Sequence, residues 1–217
     1  MSATCTFTIL TGLKTVAGSI KHFTNYSRID STVVLADTQA LLYSLLRVTE
    51  MKSLATLTLA IGDTTESIPT GFLDPQGGIT GSDGETYAAF DTDGNFYGHV
   101  PEMAPFLQQR TFTSGVINSA QPQYFCIYDN VINFEHKFDT ARTIYLPYYK
   151  TLTALSASNE SNFLTDRYPH VLRQACHVQS HAFMKNWSAY NAELPLLTSL
   201  IERCNQESDL MFRGGNY

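Results

Sequence analysis

The stretch NFLTDRYPHVLRQACHVQSHAF, residues 162–183, gathers the side chains with the most chemical capacity in this chain: His170, His177, His181, Cys176 and Asp166. His177 and His181 stand one helical turn apart, a spacing that lets two imidazoles bind one zinc ion from the same side of a helix. A metalloprotease helix of that kind places a glutamate directly after the first histidine, to act as general base. Here that position is Val178, and no cluster of further His, Asp or Glu ligands is evident. Projected as a helix, the stretch puts Tyr168, Val171, Leu172, Ala175, Val178 and Ala182 on one apolar face. His170, Arg173, Gln174, His177 and His181 fall on the other. The histidines thus read as a polar stripe that is solvated or faces a neighbouring subunit, and the apolar side reads as a packing face. A metal-dependent hydrolase using His177 and His181 is the weaker alternative.

A second candidate is DTDGN at residues 91–95, with Glu102 twelve positions from the start, which hints at a calcium loop. A full loop needs oxygen ligands at alternate positions after the glycine. The glycine comes too early here, and Phe96 and Tyr97 follow it, so the segment reads as a hairpin turn. No nucleophile elbow, phosphate loop or dinucleotide fingerprint is present. Cys5, Cys126, Cys176 and Cys204 are scattered without a C-x-x-C pair, which argues against a zinc ribbon or a disulfide framework. Cys126 falls within a strand pattern, as a small core residue. No catalytic residue, cofactor or metal is expected.

The elements that position these groups read as helix, strands, helix. Leu10, Leu13, Val16, Ala17, Ile20 and Phe23 recur at helical spacing over 7–23. A second helix follows, with Val34, Leu35, Leu41, Leu42, Leu45 and Leu46 as its stripe. From about residue 54 the period becomes two: ATLTLAI alternates, Gly62 turns the chain, and TESIP follows. GFLDPQGGITGSDGETY is dense in breakers and reads as loop. TYAAFDTDGNFYGHV reads as a hairpin turning at Asp93-Gly94, and PEMAPFLQQR as a short helix. TFTSGVI, QYFCIYD and VINFEHKF read as strands, the last two joined through Asp129-Asn130. RTIYLPYYK is a strand that Pro147 assigns to an edge. Asn162, Thr165 or Asp166 caps a helix reaching about Lys185. A last helix spans about 187–206 with Trp187, Tyr190, Leu194, Leu197 and Ile201 on its buried side, kinked or restarted at Pro195.

The expected fold is therefore α+β: N- and C-terminal helical segments packed as a bundle, an inserted β-rich module of sandwich or barrel type, and an extended C-terminal tail. The parts are 1–53, 54–152, 153–207 and a flexible tail 208–217. The net charge of −6, with few and scattered basic residues, disfavours tight nucleic-acid binding, which depends on releasing counterions. No apolar run matches a membrane span, and the first residues make a poor signal peptide. The N-x-S/T matches at Asn25, Asn159 and Asn186 read as coincidence.

Three stretches together carry a resemblance. They are LLYSLLRVTEMKSLATLTLAIGDTTESIPTGFLDPQGG, QPQYFCIYDNVINFEHKFDTARTIYLPYYKTLTALS, and the opening stretch with Asp166-x-Tyr168-Pro169 running on to AFMKN. In order and spacing this resembles the head-to-tail adaptor, or head-completion, proteins of tailed bacteriophages, over roughly half the chain. The resemblance implies a structural virion protein assembled in the host cytoplasm and placed in the neck. It would form a homo-oligomeric ring, usually of twelve subunits. The ring would lie between the portal protein and the tail or nozzle proteins, extend the DNA channel and provide the platform for tail attachment. Genomic DNA would pass without specific binding, and no membrane is involved. In that frame the tail anchors to the portal through Leu210, Met211, Phe212 and Tyr217, and the face from Tyr168 to Ala182 belongs to a packing helix of the ring. Another tail-completion or tail-tube component is the runner-up.

Overall fold

The structure is a computed structural model and describes residues 31–81, 83–102, 121–156, 159 and 161–213. The helix expected at 7–23, the strand at 111–117 and nearly all of the short helix from residue 101 lie outside those residues. So do Cys5, Asn25 and Tyr217. The chain divides into two compact units: Met1–Met51 with Leu152–Tyr217, and Lys52–Thr151.

The first unit is helical. Helix α1 (Ser31–Leu45) buries Val34, Leu35, Thr38, Gln39, Leu42 and Tyr43, at the three- and four-residue spacing that lines one helix face. Its two buried polar side chains are satisfied. Thr38 Oγ1 donates to the Val34 carbonyl, and Gln39 Oε1 accepts from the Leu155 N–H at 2.6 Å. Leu45, expected in the stripe, is exposed at the final residue of the helix, and Leu46 just beyond it is fully buried instead. Arg47 closes the helix by donating to the carbonyls of Tyr43, Ser44 and Leu46. A 3₁₀ turn, Thr49–Met51, ends this part of the unit.

The single helix expected from Asn162 to Lys185 is two helices. Asn162 caps α2 (Phe163–Asp166) through a reciprocal capping box with Thr165. Pro169 then starts α3 (Pro169–Phe183) at a first-turn position, where its missing N–H costs nothing. Lys185, at φ 55°, turns the chain, and Asn186 Oδ1 accepts from Ala189 N–H to open α4 (Trp187–Arg213). Helix α3 packs against both α1 and α4.

Pro195 does not restart the helix: α4 is continuous through it. The carbonyl that the proline leaves without an N–H partner belongs to Asn191, and both residues are exposed, so solvent can satisfy it. The buried stripe of α4 is Leu197, Ile201, Cys204 and Ser208. Trp187, expected on that side, is 57% exposed and sits edge-on to Tyr190. The helix continues to Arg213, so residues 208–213 are helical where an extended tail was expected. The run ESDLMFR contains no Gly or Pro before Gly214, so nothing local ends the helix earlier.

The second unit is a nearly closed β-sheet. Its strands are β1 (Lys52–Leu59), β2 (Thr65–Ser67), β3 (Phe72–Pro75), β6 (Ala89–Asp91), β7 (Phe96–His99), β8 (Tyr124–Tyr128), β9 (Val131–Phe134) and β10 (Arg142–Lys150). A separate small hairpin is formed by β4 (Ile79–Thr80) and β5 (Thr86–Tyr87). The order is β1-β10-β6-β7-β8-β9-β2, with β3 also on β10. Pairing is antiparallel except between β7 and β8. The turn expected at Asp129-Asn130 is present, with φ of 54° and 59°. The turn at Asp93-Gly94 is present as well, with Gly94 at φ 86°.

Two expectations fail here. FLDP and its neighbours, read as loop, contribute β3, β4 and β5. RTIYLPYYK is an interior strand, flanked by β1 on one side and by β6 and β3 on the other. Pro147 is tolerated because its carbonyl, accepting from Gln76 N–H, faces the β3 side. Its missing N–H therefore falls in the gap between the last β6 partner, Tyr145, and the first β3 partner, Tyr148. The core beneath is rich in rings: Tyr97, Phe125, Phe134 and Phe138 are almost fully buried, with Phe134 and Phe138 edge to face at 5.0 Å.

Candidate functional site

The histidine stretch comes first, because it promised most. His170 is exposed, His177 half-buried and His181 buried. The expectation of a polar stripe that is solvated or faces a neighbouring subunit fails at His181, because α4 of the same chain closes over that part of α3. His181 Nε2 lies 3.4 Å from Glu193 Oε1 on α4, and Gln174 Nε2 donates to the other Glu193 oxygen at 3.3 Å. His181 and Gln174 thus share one carboxylate of the neighbouring helix. Burial lowers the His177 pKa, with the Glu193 charge opposing that shift. Among the described residues no group of three or more His, Cys, Asp or Glu side chains could hold a metal ion. Cys176 is fully buried, and burial pushes its thiol up to about 12, so it is not an available nucleophile.

Tyr168, Val171, Leu172, Ala175 and Val178 are buried and Ala182 partly so. This apolar face is already taken up inside the helical unit. Leu210, Met211 and Phe212 lie in the last turns of α4.

The DTDGN loop has a different occupant from the cation it suggested. Asp91 Oδ1 accepts from the N–H groups of Asp93 and Asn95, each at 2.9 Å. Its Oδ2 accepts from Asn95 Nδ2 at 2.7 Å and Tyr97 Oη at 2.9 Å. Arg142 Nη1 stands 3.5 Å from that same oxygen and also bridges to Asp93, while Nη2 donates to Gln121 Oε1 at 3.0 Å. Both carboxylate oxygens are fully used, and a guanidinium supplies the positive charge, so the loop is a structural lock. Burial by itself would raise the Asp91 pKa; the hydrogen bonds from Asn95, Tyr97 and Asp93 together outweigh it and hold the carboxyl low. Burial, then the Asp91 bond, pushes the Tyr97 hydroxyl well up.

A third constellation emerges around Arg47-Val-Thr-Glu-Met51. The Arg47 N–H donates to Asn205 Oδ1 at 2.8 Å, and Asn205 Nδ2 reaches the Leu45 carbonyl. Thr49 N–H donates to Ser208 Oγ at 2.7 Å, and the two hydroxyls are 2.8 Å apart. Glu50 pairs with Arg167, and Met51 is fully buried. Arg47 and Thr49 are therefore tied to α4 and Glu50 to the α2–α3 corner, while Val48 and Met51 are buried. Periodicity gave no sign of these contacts, because each joins residues more than a hundred positions apart. At the other end of α3, Phe183, Met184 and Trp187 are exposed together around the Lys185 turn.

A family model described as SU10 adaptor protein matches residues 13–209, most of the chain. The chain belongs to the SU10 adaptor family. The match includes the Arg47–Met51 clamp, the DTDGN lock and the histidine helix, and it places this protein among phage structural adaptors. An adaptor of this family is a virion component that interacts with other phage structural proteins, and the family points to structural work and away from catalysis. Comparison with curated proteins gives no match. Among the described residues of this adaptor, no helix is long and apolar enough to cross a membrane.

Proposed function

We propose that this adaptor forms a homo-oligomeric ring of twelve subunits in the virion neck, between the portal protein and the tail or nozzle proteins. The ring extends the DNA channel and carries the platform on which the tail attaches. The observation that carries this reading is the family match over residues 13–209. Two features are consistent with it. The net charge of −6 would not trap DNA sliding past. The exposed Phe183, Met184 and Trp187 form an apolar corner of the kind assemblies cover.

The C-terminal segment contacts the portal through Leu210, Met211 and Phe212 at the end of α4 and through Tyr217 beyond it. Ser208 must be spared in testing this, because its hydroxyl holds Thr49. Particles assembled with a chain lacking residues 209–217 should retain portal-bearing heads but fail to join tails. Normal joining by the truncated chain would overturn the portal contact. Normal tail joining by heads that lack the protein altogether would overturn the adaptor role.

A further inference from the structure

The β unit carries a cleft of about 350 Å³ beside the β4–β5 hairpin, bordered by the start of β7 and the start of β8. Its apolar walls are the rings of Tyr87, Phe96 and Tyr124. Tyr87 and Phe96 stack at 5.4 Å between centroids. Both tyrosines lie over glycines. A Cβ on Gly81 would meet the Tyr87 ring at 2.7 Å, and one on Gly98 would meet the Tyr124 ring at 2.6 Å. Neither glycine has positive φ, so the lost side chain serves to admit the ring. Two tyrosine rings packed closely on glycines and flanking one opening make preorganised platforms, and Tyr124 remains 38% exposed.

The polar lining is acidic or neutral. Asp83 is exposed and accepts from Tyr87 Oη and from the Glu85 N–H, and Glu85 is exposed beside it. Asn95 and Gln123 add amides that can donate and accept. Among the described residues that line the cleft there is no lysine or arginine. Arg142 is held one residue back, on Gln121, Asp91 and Asp93. Flat rings suit a proline or aliphatic side chain, the amides suit a peptide main chain, and the Asp83 carboxylate with the tyrosine faces suits a lysine or arginine.

We propose that this cleft receives an extended, proline-containing basic segment of a partner protein. The proposal stands on the chemistry of the cleft and is independent of ring formation. The test is an NMR titration of the full chain with acetyl-Pro-Pro-Lys-Pro-Pro-amide, with the same peptide carrying Glu for Lys, and with maltotriose as a neutral polyhydroxyl probe. The expected result is saturable shifts centred on Gly81, Tyr87, Phe96, Gly98 and Tyr124 with the lysine peptide. Binding of the glutamate peptide should be about tenfold weaker. Asp83→Asn keeps an acceptor for Tyr87 while removing the charge, and should abolish the preference for lysine. Gly98→Ala should displace the Tyr124 ring and weaken binding. If that variant does not fold, Tyr124→Ser, at an exposed position, reads the same contact. Absence of saturable shifts with the lysine peptide, equal binding of both peptides, or saturable binding of maltotriose alone would each overturn the proposal.

Discussion

The two units hold their buried polar groups in opposite ways. In the helical unit, apart from Thr38 and Ser180, which donate to carbonyls of their own helices, they join segments far apart in sequence: Gln39 to Leu155, Tyr43 to Asn162, Arg47 to Asn205 and Thr49 to Ser208. In the β unit the main polar assembly is built around one five-residue turn, Asp91 to Asn95, then locked by Tyr97, Gln121 and Arg142. The helical unit spreads its polar ties across several modest links. The β unit concentrates most of them on the Asp91 carboxylate, with Glu135, which accepts from the Gln123 and Tyr124 N–H groups, as a smaller second tie. Damage to the second should therefore be severe at a single site, and damage to the first graded.

Asp91→Ala tests that contrast most strongly. It leaves Tyr97 and Arg142 facing an empty acceptor position and should cost about 3–5 kcal/mol in chemical denaturation, the scale of removing one partner from a buried charged network. Hydrogen exchange should rise in β6, β7 and β10 while α3 keeps its protection; equal loss in both units would break the comparison. Asn162→Ala comes next. It removes the capping box and the amide bonded to Tyr43, and thermal unfolding should register about 1–2 kcal/mol. Ser208→Ala is smaller, about 1 kcal/mol, because Thr49 is exposed enough for water to replace the hydroxyl. If Ser208→Ala matched Asp91→Ala, the distinction between graded and concentrated ties would fail.

The smallest expected effect is one of pH, and it should be alike in the two units. Burial lowers the pKa of His177 in the helical unit and of His99 in the β unit. Above about pH 6.5 both are neutral whether the chain is folded or unfolded, so neither affects stability. As the pH falls below that value, the unfolded chain takes up protons first, so stability declines until the lower folded pKa is passed. Denaturation midpoints from pH 7 to 5 should fall less steeply in His177→Gln and in His99→Gln than in the parent. An unchanged slope in either variant would remove that histidine from the account.

What could be read from sequence follows from how local each feature is. The Asp129-Asn130 and Asp93-Gly94 turns were legible because the left-handed backbone selects those residue types within a few positions. The faces of α3 were legible in part. Helical projection separated apolar from polar residues, but it could not show that a second helix would cover His181. Pro147 misled because sequence gives the missing N–H and not the side of the strand it faces. Strands β3, β4 and β5 were hidden because their breakers lie at turns between very short strands, and β3 exists only by pairing with β10, some seventy residues away. The Arg47–Met51 segment was noticed through its resemblance to adaptor proteins. Its physical role, being fastened by Asn205, Ser208 and Arg167, required the fold. The tyrosine cleft left a faint signal in Gly81 and Gly98, each of which becomes meaningful only with its ring in place.

The central claim concerns where the chain works. A reconstruction of the intact virion, resolved well enough around the neck to trace side chains, tests it most directly. The account predicts twelve copies of this chain in a closed ring directly below the portal, with the end of α4 against portal density. Finding the chain elsewhere in the particle, or finding the position below the portal filled by a different protein, would contradict it.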